Sequence, residues 1–262
     1  VELTYADGTK EDQYIPAEIW RRTPKHVKKL IVADKDKELA QKKGKRIFVE
    51  QNIKEGKLNP EDIDENTYEL GEGNYYKTEF TKTKIIIGNT NNSGMKHVYG
   101  WKNRILGNYK KTSTFTIDRK GNIYQHFNPI YYSDFVGDKS IDKKSISISL
   151  ENQGWLIKDI LRDKYYDWVG NPYKRRVKVF EKRWRGQSYW DPYTPKQYKA
   201  TLELVEYLCK EYDIPKRAIS HNTQIDNMQS FDGVSYRSNY FKEKTDLTPA
   251  WDCKKIKNKL EK

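Results

Sequence analysis

Lys84-Ile85-Ile86-Ile87-Gly88-Asn89-Thr90 is the stretch whose reading decides the fold. Three successive isoleucines followed by a glycine predict a buried strand that ends abruptly. The strand end brings Gly88 and Asn89, and neither is a good metal ligand. The segments that follow it read as one α/β domain running to the C-terminus.

Met95 to Leu106 has a short-helix pattern, and Thr112 to Ile117 alternates as a strand. Asp118-Arg119-Lys120-Gly121-Asn122 is a hairpin turn, from which Ile123 to Phe127 returns. Ser145 to Leu150 alternates strictly and predicts a half-buried strand, closed by Glu151 to Gly154. A polar, aromatic-rich stretch then runs to Trp190. Thr194-Pro195 joins an N-cap to a proline at the first helical position, and Ala200, Leu204, Tyr207 and Leu208 follow at helical spacing. Ile219-Ser220-His221 reads as a short strand end. A long loop leads to Lys244-Thr245-Asp246, and a lysine-rich terminal helix starts at Pro249-Ala250-Trp251.

Residues 1–80 carry no legible chemistry. Val1 to Tyr14 alternates around Asp7-Gly8, a hairpin dipeptide. Ala17 to Lys45 is helix-like, interrupted by Pro24, and Asn59 to Asn74 reads as an acidic loop. The expectation is an N-terminal extension, 1–80, that packs on the domain 81–262 or on another protein. A first residue Val1 rather than Met fits removal of a leader or of a preceding domain.

The chain of 262 residues has 50 Lys plus Arg against 37 Asp plus Glu, a formal charge of +13. That balance favours an anionic partner: nucleic acid, an acidic wall polymer or a membrane surface. The basic residues are spread along the chain, which also fits an ordinary solvated surface. The 20 Tyr and 7 Trp suit stacking on sugars or bases, or an aromatic core. No apolar run approaches the roughly 20 residues of a membrane span. Cys209 and Cys253 form no metal motif and are free to pair or not.

Taken in order, these segments resemble a family. They are Ile85-Ile86-Ile87, Phe115-Thr116-Ile117-Asp118-Arg119-Lys120-Gly121, Ser145-Ile146-Ser147-Ile148, Tyr193-Thr194 with Gln197-Tyr198, Tyr212-Asp213-Ile214-Pro215, Ser220-His221, and Lys244-Thr245-Asp246 with Pro249-Ala250-Trp251. Together they resemble the zinc-dependent N-acetylmuramoyl-L-alanine amidases, which share a fold with the peptidoglycan recognition proteins. The resemblance covers about residues 82–258. It implies a mixed central β-sheet flanked by helices and a zinc site in a peptidoglycan groove. There the metal polarises the amide carbonyl between the muramic lactyl group and L-alanine and activates water.

Residue by residue, the resemblance implies zinc ligands at His221 and Asp246, with Lys244 stabilising the developing oxyanion. The family's first ligand His falls at Gly88, which puts zinc in doubt. Its acid/base Glu falls at Ser149, leaving Glu151, two residues on, as the substitute. Asn89, Thr114 and Trp190 are the candidate substrate contacts, and Asn89, His97 or Asp134 would have to complete a shifted metal site. The competing readings are structural. His221 would bond to backbone, Asp246 would cap the terminal helix, His126 would be internal, and His26 and His97 would be exposed beside lysines. Trp168, Trp184, Tyr189 and Trp190 line a glycan groove or simply pack the long insertion.

Three functions follow. The first is an amidase-fold protein with degenerate zinc chemistry that binds peptidoglycan or muropeptide, or serves as a structural module, for instance in a phage virion, with residues 1–80 meeting other virion or envelope proteins. The second is an active zinc amidase with a rearranged metal site. The third is a basic nucleic-acid binder, which predicts salt-sensitive binding. An extracellular, envelope or virion location fits the first two.

Overall fold

The computed structural model describes residues 2–4, 10–12, 58–104, 108–220, 223 and 227–261. The chain divides into two compact units, Val1–Gly56 and Lys57–Lys262. In the first, β1 (Glu2–Thr4) and β2 (Lys10–Asp12) pair antiparallel, and the turn expected at Asp7-Gly8 lies outside the described residues. The helix-like segment Ala17 to Lys45 and His26 lie outside the described residues.

The second unit is built on a six-stranded mixed sheet. In chain order its elements begin with β3 (Ile63–Asp64), β4 (Lys84–Asn89), α1 (Lys96–Lys102), β5 (Phe115–Ile117) and β6 (Ile123–Gln125). Then come α2 (Lys139–Asp142), β7 (Ser145–Leu150), β8 (Ile157–Asp159), β9 (Lys164–Tyr166) and β10 (Pro172–Tyr173). The chain continues through β11 (Lys178–Trp184), β12 (Gln187–Trp190), α3 (Pro195–Glu211), β13 (Gly233–Tyr236), α4 (Arg237–Tyr240) and α5 (Cys253–Leu260). The sheet order is β13-β4-β7-β5-β6-β3, with β13, β4, β7 and β5 mutually parallel. Among the described residues no helix is long and apolar enough to cross a membrane.

The two faces of this sheet differ, and the difference follows from strand parity. One face carries Ile85, Ile87, Phe115, Ile117, Ile146, Ile148 and Leu150, all fully buried in one core with Leu204, Val205 and Leu208 of α3 and Ile256 of α5. The other carries Gly88, Ser147, Ser149 and Thr116, and the register aligns Gly88, Ser149 and Thr116 in one row across β4, β7 and β5. Small polar side chains on this face leave room for a groove.

Helix α3 starts where the N-cap and proline place it. Thr194 Oγ1 accepts from the Gln197 amide at 3.1 Å, and the Gln197 side chain accepts from the Thr194 amide at 3.1 Å. Gln197 Nε2 also donates to the Glu151 carbonyl at 2.9 Å, tying the helix start to the end of β7.

Several expectations change. Residues 59–74, read as a loop, contribute β3, which pairs with β6. The loop expected between His221 and Lys244 contains β13 and α4, and β13 lies beside β4. The stretch before Trp190 folds into two small sheets, β10-β9-β8 and β11-β12. His97 is buried rather than exposed, because α1 turns it toward Thr116 of the sheet. Cys209 and Cys253 are both buried thiols.

Candidate functional site

The groove opens on the polar face of the sheet, at the carboxyl ends of β4, β7 and β13, where open α/β sheets bind ligands. It holds about 330 Å³ and is lined by Asn89, His97, Thr112, Asp134, Ser149, Arg237 and Lys244, among others. A shallower hollow lined by Tyr76, Arg104 and Lys110 shares Tyr109, Lys111 and Asp134 with it and extends it along the surface.

At one end sits an ion pair. Arg237, the first residue after β13, places Nη1 3.0 Å from Asp246 Oδ2. Asp246 is 2% exposed, and the same oxygen accepts a long bond from the Asn89 amide at 3.4 Å. The guanidinium also lies over the Phe135 ring, 5.0 Å from its centroid. Gly88 completes the cluster. A Cβ there would come within 2.7 Å of Asp246 Oδ2, 2.8 Å of Arg237 Cδ and 3.0 Å of Phe135 Cζ. The arginine side chain fills the space into which a side chain at position 88 would point.

On the other side of the row, two buried histidines are linked through one hydroxyl. Thr116 Oγ1 lies 2.8 Å from His126 Nε2 and 3.3 Å from His97 Nε2, while His126 Nδ1 lies 2.9 Å from the Tyr68 carbonyl. A carbonyl only accepts, so His126 is protonated on Nδ1. Its Nε2 then accepts from the Thr116 hydroxyl, and His97 Nε2 makes the longer contact to the same oxygen. His97 also interacts with the Gly94 backbone, and its Nδ1 has no hydrogen-bond partner at good geometry. Burial pushes His97 down to about 3, with His126 adding to the effect, and burial pushes His126 down to about 4.

The carboxyl side of the site is fixed from outside. Arg185, in the turn of the β11–β12 hairpin, donates to the carbonyls of Ser238 and Phe241, each at 2.7 Å, and of Lys244. These carbonyls belong to the segment that presents Arg237, Lys244 and Asp246. Asn89 is held by Tyr193, whose hydroxyl donates to Oδ1 at 2.5 Å.

The expected site residues fare unevenly. Asn89 and Lys244 line the groove, and Asp246 lies at its end under Arg237. His221 lies outside the described residues. Glu151 is placed otherwise: its Oε1 accepts from the Gly94 amide at 2.6 Å and its Oε2 from the Arg119 amide at 3.0 Å. Both oxygens tie loops together, and Glu151 does not line the groove. Thr114 is buried beneath it, bonded through its amide to Ser147 Oγ at 2.9 Å. Trp190 is 0% exposed and packs against Trp184, so it offers no surface to a ligand. Arg237 was missed, because an arginine in a polar stretch carries no motif. Its one sequence signal is its place directly after Gly233-Val234-Ser235-Tyr236.

Residues 79–235 match the family described as N-acetylmuramoyl-L-alanine amidase. The chain belongs to this family. Among solved structures it is similar to the N-acetylmuramoyl-L-alanine amidase LysC from Clostridium intestinale URNW, at 15% identity and a TM-score of 0.42, covering 76% of this chain and 97% of that one. It is similar to the catalytic domain of XlyA, at 18% identity and a TM-score of 0.41 over 72% and 89% of the two chains. It is also similar to AmiD from E. coli, solved with the substrate anhydro-N-acetylmuramic acid-L-Ala-D-gamma-Glu-L-Lys, at 16% identity and a TM-score of 0.36 over 54% and 48%. A comparison with curated proteins found no match.

The family is typically zinc-dependent, and the described residues, which do not include His221, do not by themselves make a site for that metal. Gly88 offers no donor atom, Arg237 brings a positive charge, and that charge already neutralises Asp246. Among the described residues no three His, Cys, Asp or Glu side chains gather at metal-binding spacing.

Proposed function

We propose that this chain is a peptidoglycan-directed amidase-fold protein that binds cell wall without hydrolysing it, as a wall-binding or structural module. The Arg237–Asp246 pair beside Gly88 carries the reading. A fixed guanidinium can hold Asp246 and donate to a ligand oxygen, but it has no exchangeable coordination position and activates no water. Asn89, Asp134, Lys111, Ser149 and Lys244 supply donors and acceptors for amide and hydroxyl groups, and Trp101 and Tyr109 supply flat apolar walls.

The test combines zinc content of the purified chain, release of stem peptides from peptidoglycan, and sedimentation with insoluble wall. Sedimentation without zinc and without release is the expected result. About one zinc per chain together with peptide release would overturn this reading in favour of an active amidase with a rearranged metal site involving His221.

A further inference from the structure

The insertion between β7 and α3 carries a concentration of charge that the groove does not use. Residues 174–185 contain Lys174, Arg175, Arg176, Lys178, Lys182, Arg183 and Arg185 against one acid, Glu181. Two of these cations are already engaged. Arg175 donates to the buried Asp191 at 3.0 Å, and Arg185 holds the carbonyls of Ser238, Phe241 and Lys244. The other five, Lys174, Arg176, Lys178, Lys182 and Arg183, are exposed and make no ion pair among the described residues.

We propose that this exposed strand and its lead-in form a second binding surface, for an anionic phosphodiester polymer of the cell wall. Among the described residues strand β11 pairs with β12 alone. Five unpaired cations on and before one extended strand match a flexible chain with regularly spaced phosphates. Phe180 and Trp184 lie half-buried on the same strand, with Lys178 over the Phe180 ring and Arg185 over Trp184. The choice of a wall polymer over nucleic acid rests on the wall-binding reading above and on Arg185. That residue fastens the hairpin turn to the segment that carries Arg237, Lys244 and Asp246. A polymer lying on β11 therefore runs beside whatever fills the groove, and an anionic polymer of the wall lies beside peptidoglycan.

The full chain and the variant Lys178→Gln/Lys182→Gln/Arg183→Gln are titrated with fluorescent poly(glycerol phosphate), and both are sedimented with peptidoglycan stripped of anionic polymers. The parent is expected to bind the polymer at about 50 mM salt and to release it at about 500 mM. The variant is expected to bind the polymer at least about 10-fold more weakly, with unchanged thermal melting and unchanged sedimentation with stripped peptidoglycan. Equal polymer affinity in parent and variant overturns the proposal, as does absence of polymer binding by the parent. Duplex DNA displacing the polymer at lower phosphate concentration than the polymer itself overturns it in favour of nucleic acid. Polymer binding with no sedimentation on stripped peptidoglycan supports the hairpin surface and counts against the groove reading alone.

Discussion

The Cδ methylene of Arg237 lies 2.8 Å from the point where a Cβ on Gly88 would sit. The two positions exclude each other: a side chain at 88 requires the arginine to leave, and the arginine requires glycine. Gly88→Ala is therefore expected to destabilise the fold by about 1–3 kcal/mol through overpacking. Arg237→Ala is expected to cost about 3–5 kcal/mol by leaving Asp246 buried and unpaired. The double variant should cost less than the two added together, by more than about 0.5 kcal/mol, because the arginine is the main obstacle to the new methyl. Urea denaturation of the four proteins measures this, and strict additivity would break the argument.

Gly88, Arg237 and Asp246 converge on one point from the ends of β4 and β13 and from the segment after α4. Replacing Gly88 and Arg237 together by histidine sets two imidazoles beside the existing carboxylate. The Gly88→His/Arg237→His chain is expected to take up about one zinc in calorimetric titration, in a three-ligand site with one open position. The parent should show no such heat. A silent titration of the double variant would mean that the three positions do not share one centre.

The Tyr68–His126–Thr116–His97 chain makes stability depend on acid. Both rings have folded-state values depressed below the ordinary 6.5, to about 4 for His126 and about 3 for His97. Between pH about 6.5 and about 4 the unfolded chain binds more protons than the folded one, so stability falls as pH falls through that window. Urea midpoints recorded across it should decline, and His126→Gln should flatten the slope. Ring NMR signals of both histidines should stay in the neutral form down to about pH 5. A midpoint near 6.5 at either ring would contradict the buried network.

Arg185→Ala removes the donor that three carbonyls share. The expected outcome is a loss of about 1–3 kcal/mol, with faster hydrogen exchange concentrated in residues 238–246. Arg185→Lys should restore only part of the protection, since one ammonium cannot reproduce the planar fork. Exchange that rises evenly over the domain instead would show that the hairpin does not hold this segment.

What the sequence disclosed depended on how much local signal each element carried. Strand β7 was legible to its ends because Ser145 to Leu150 alternates strictly, but the half-buried strand that this predicts is buried on both faces. Helix α3 was legible because Thr194, Pro195 and Gln197 spell out its start. Strand β13 was not: four residues, Gly233 to Tyr236, with two apolar side chains, look like loop until β4 is there to pair with them. The strands of the insertion are short and largely exposed, so no burial pattern marks them. The same limit hid the site. Gly88 announced that a ligand was missing, but the arginine that takes its room, about 150 residues away in sequence, directly follows a strand held there by tertiary pairing rather than local preference. Trp190 misled in the opposite sense, since an aromatic beside polar residues reads as a sugar platform whether it faces water or the core.

The long insertion leaves the domain at Gly154 and rejoins it at Asp191, and the Asp191 amide donates to the Gly154 carbonyl at 3.0 Å. Entry and exit are stitched side by side there, since the Leu156 amide also donates to the Tyr189 carbonyl at 2.8 Å and Asn152 Nδ2 to the Asp191 carbonyl at 2.8 Å, like the two posts of one gate. The Asp191 carboxylate holds this base together, accepting from Arg119, Arg175, Tyr173 and the Gln153 amide, while farther out Trp168 Nε1 donates to the Asn91 carbonyl and Arg185 to the carbonyls of Ser238, Phe241 and Lys244. Such a segment can be gained, lost or exchanged without rerouting the sheet, since a short turn joining residues 154 and 191 would close the same gap. The domain therefore has a natural grafting point for the sheet, while the groove keeps its shape only where something replaces the Arg185 bonds to residues 238–244.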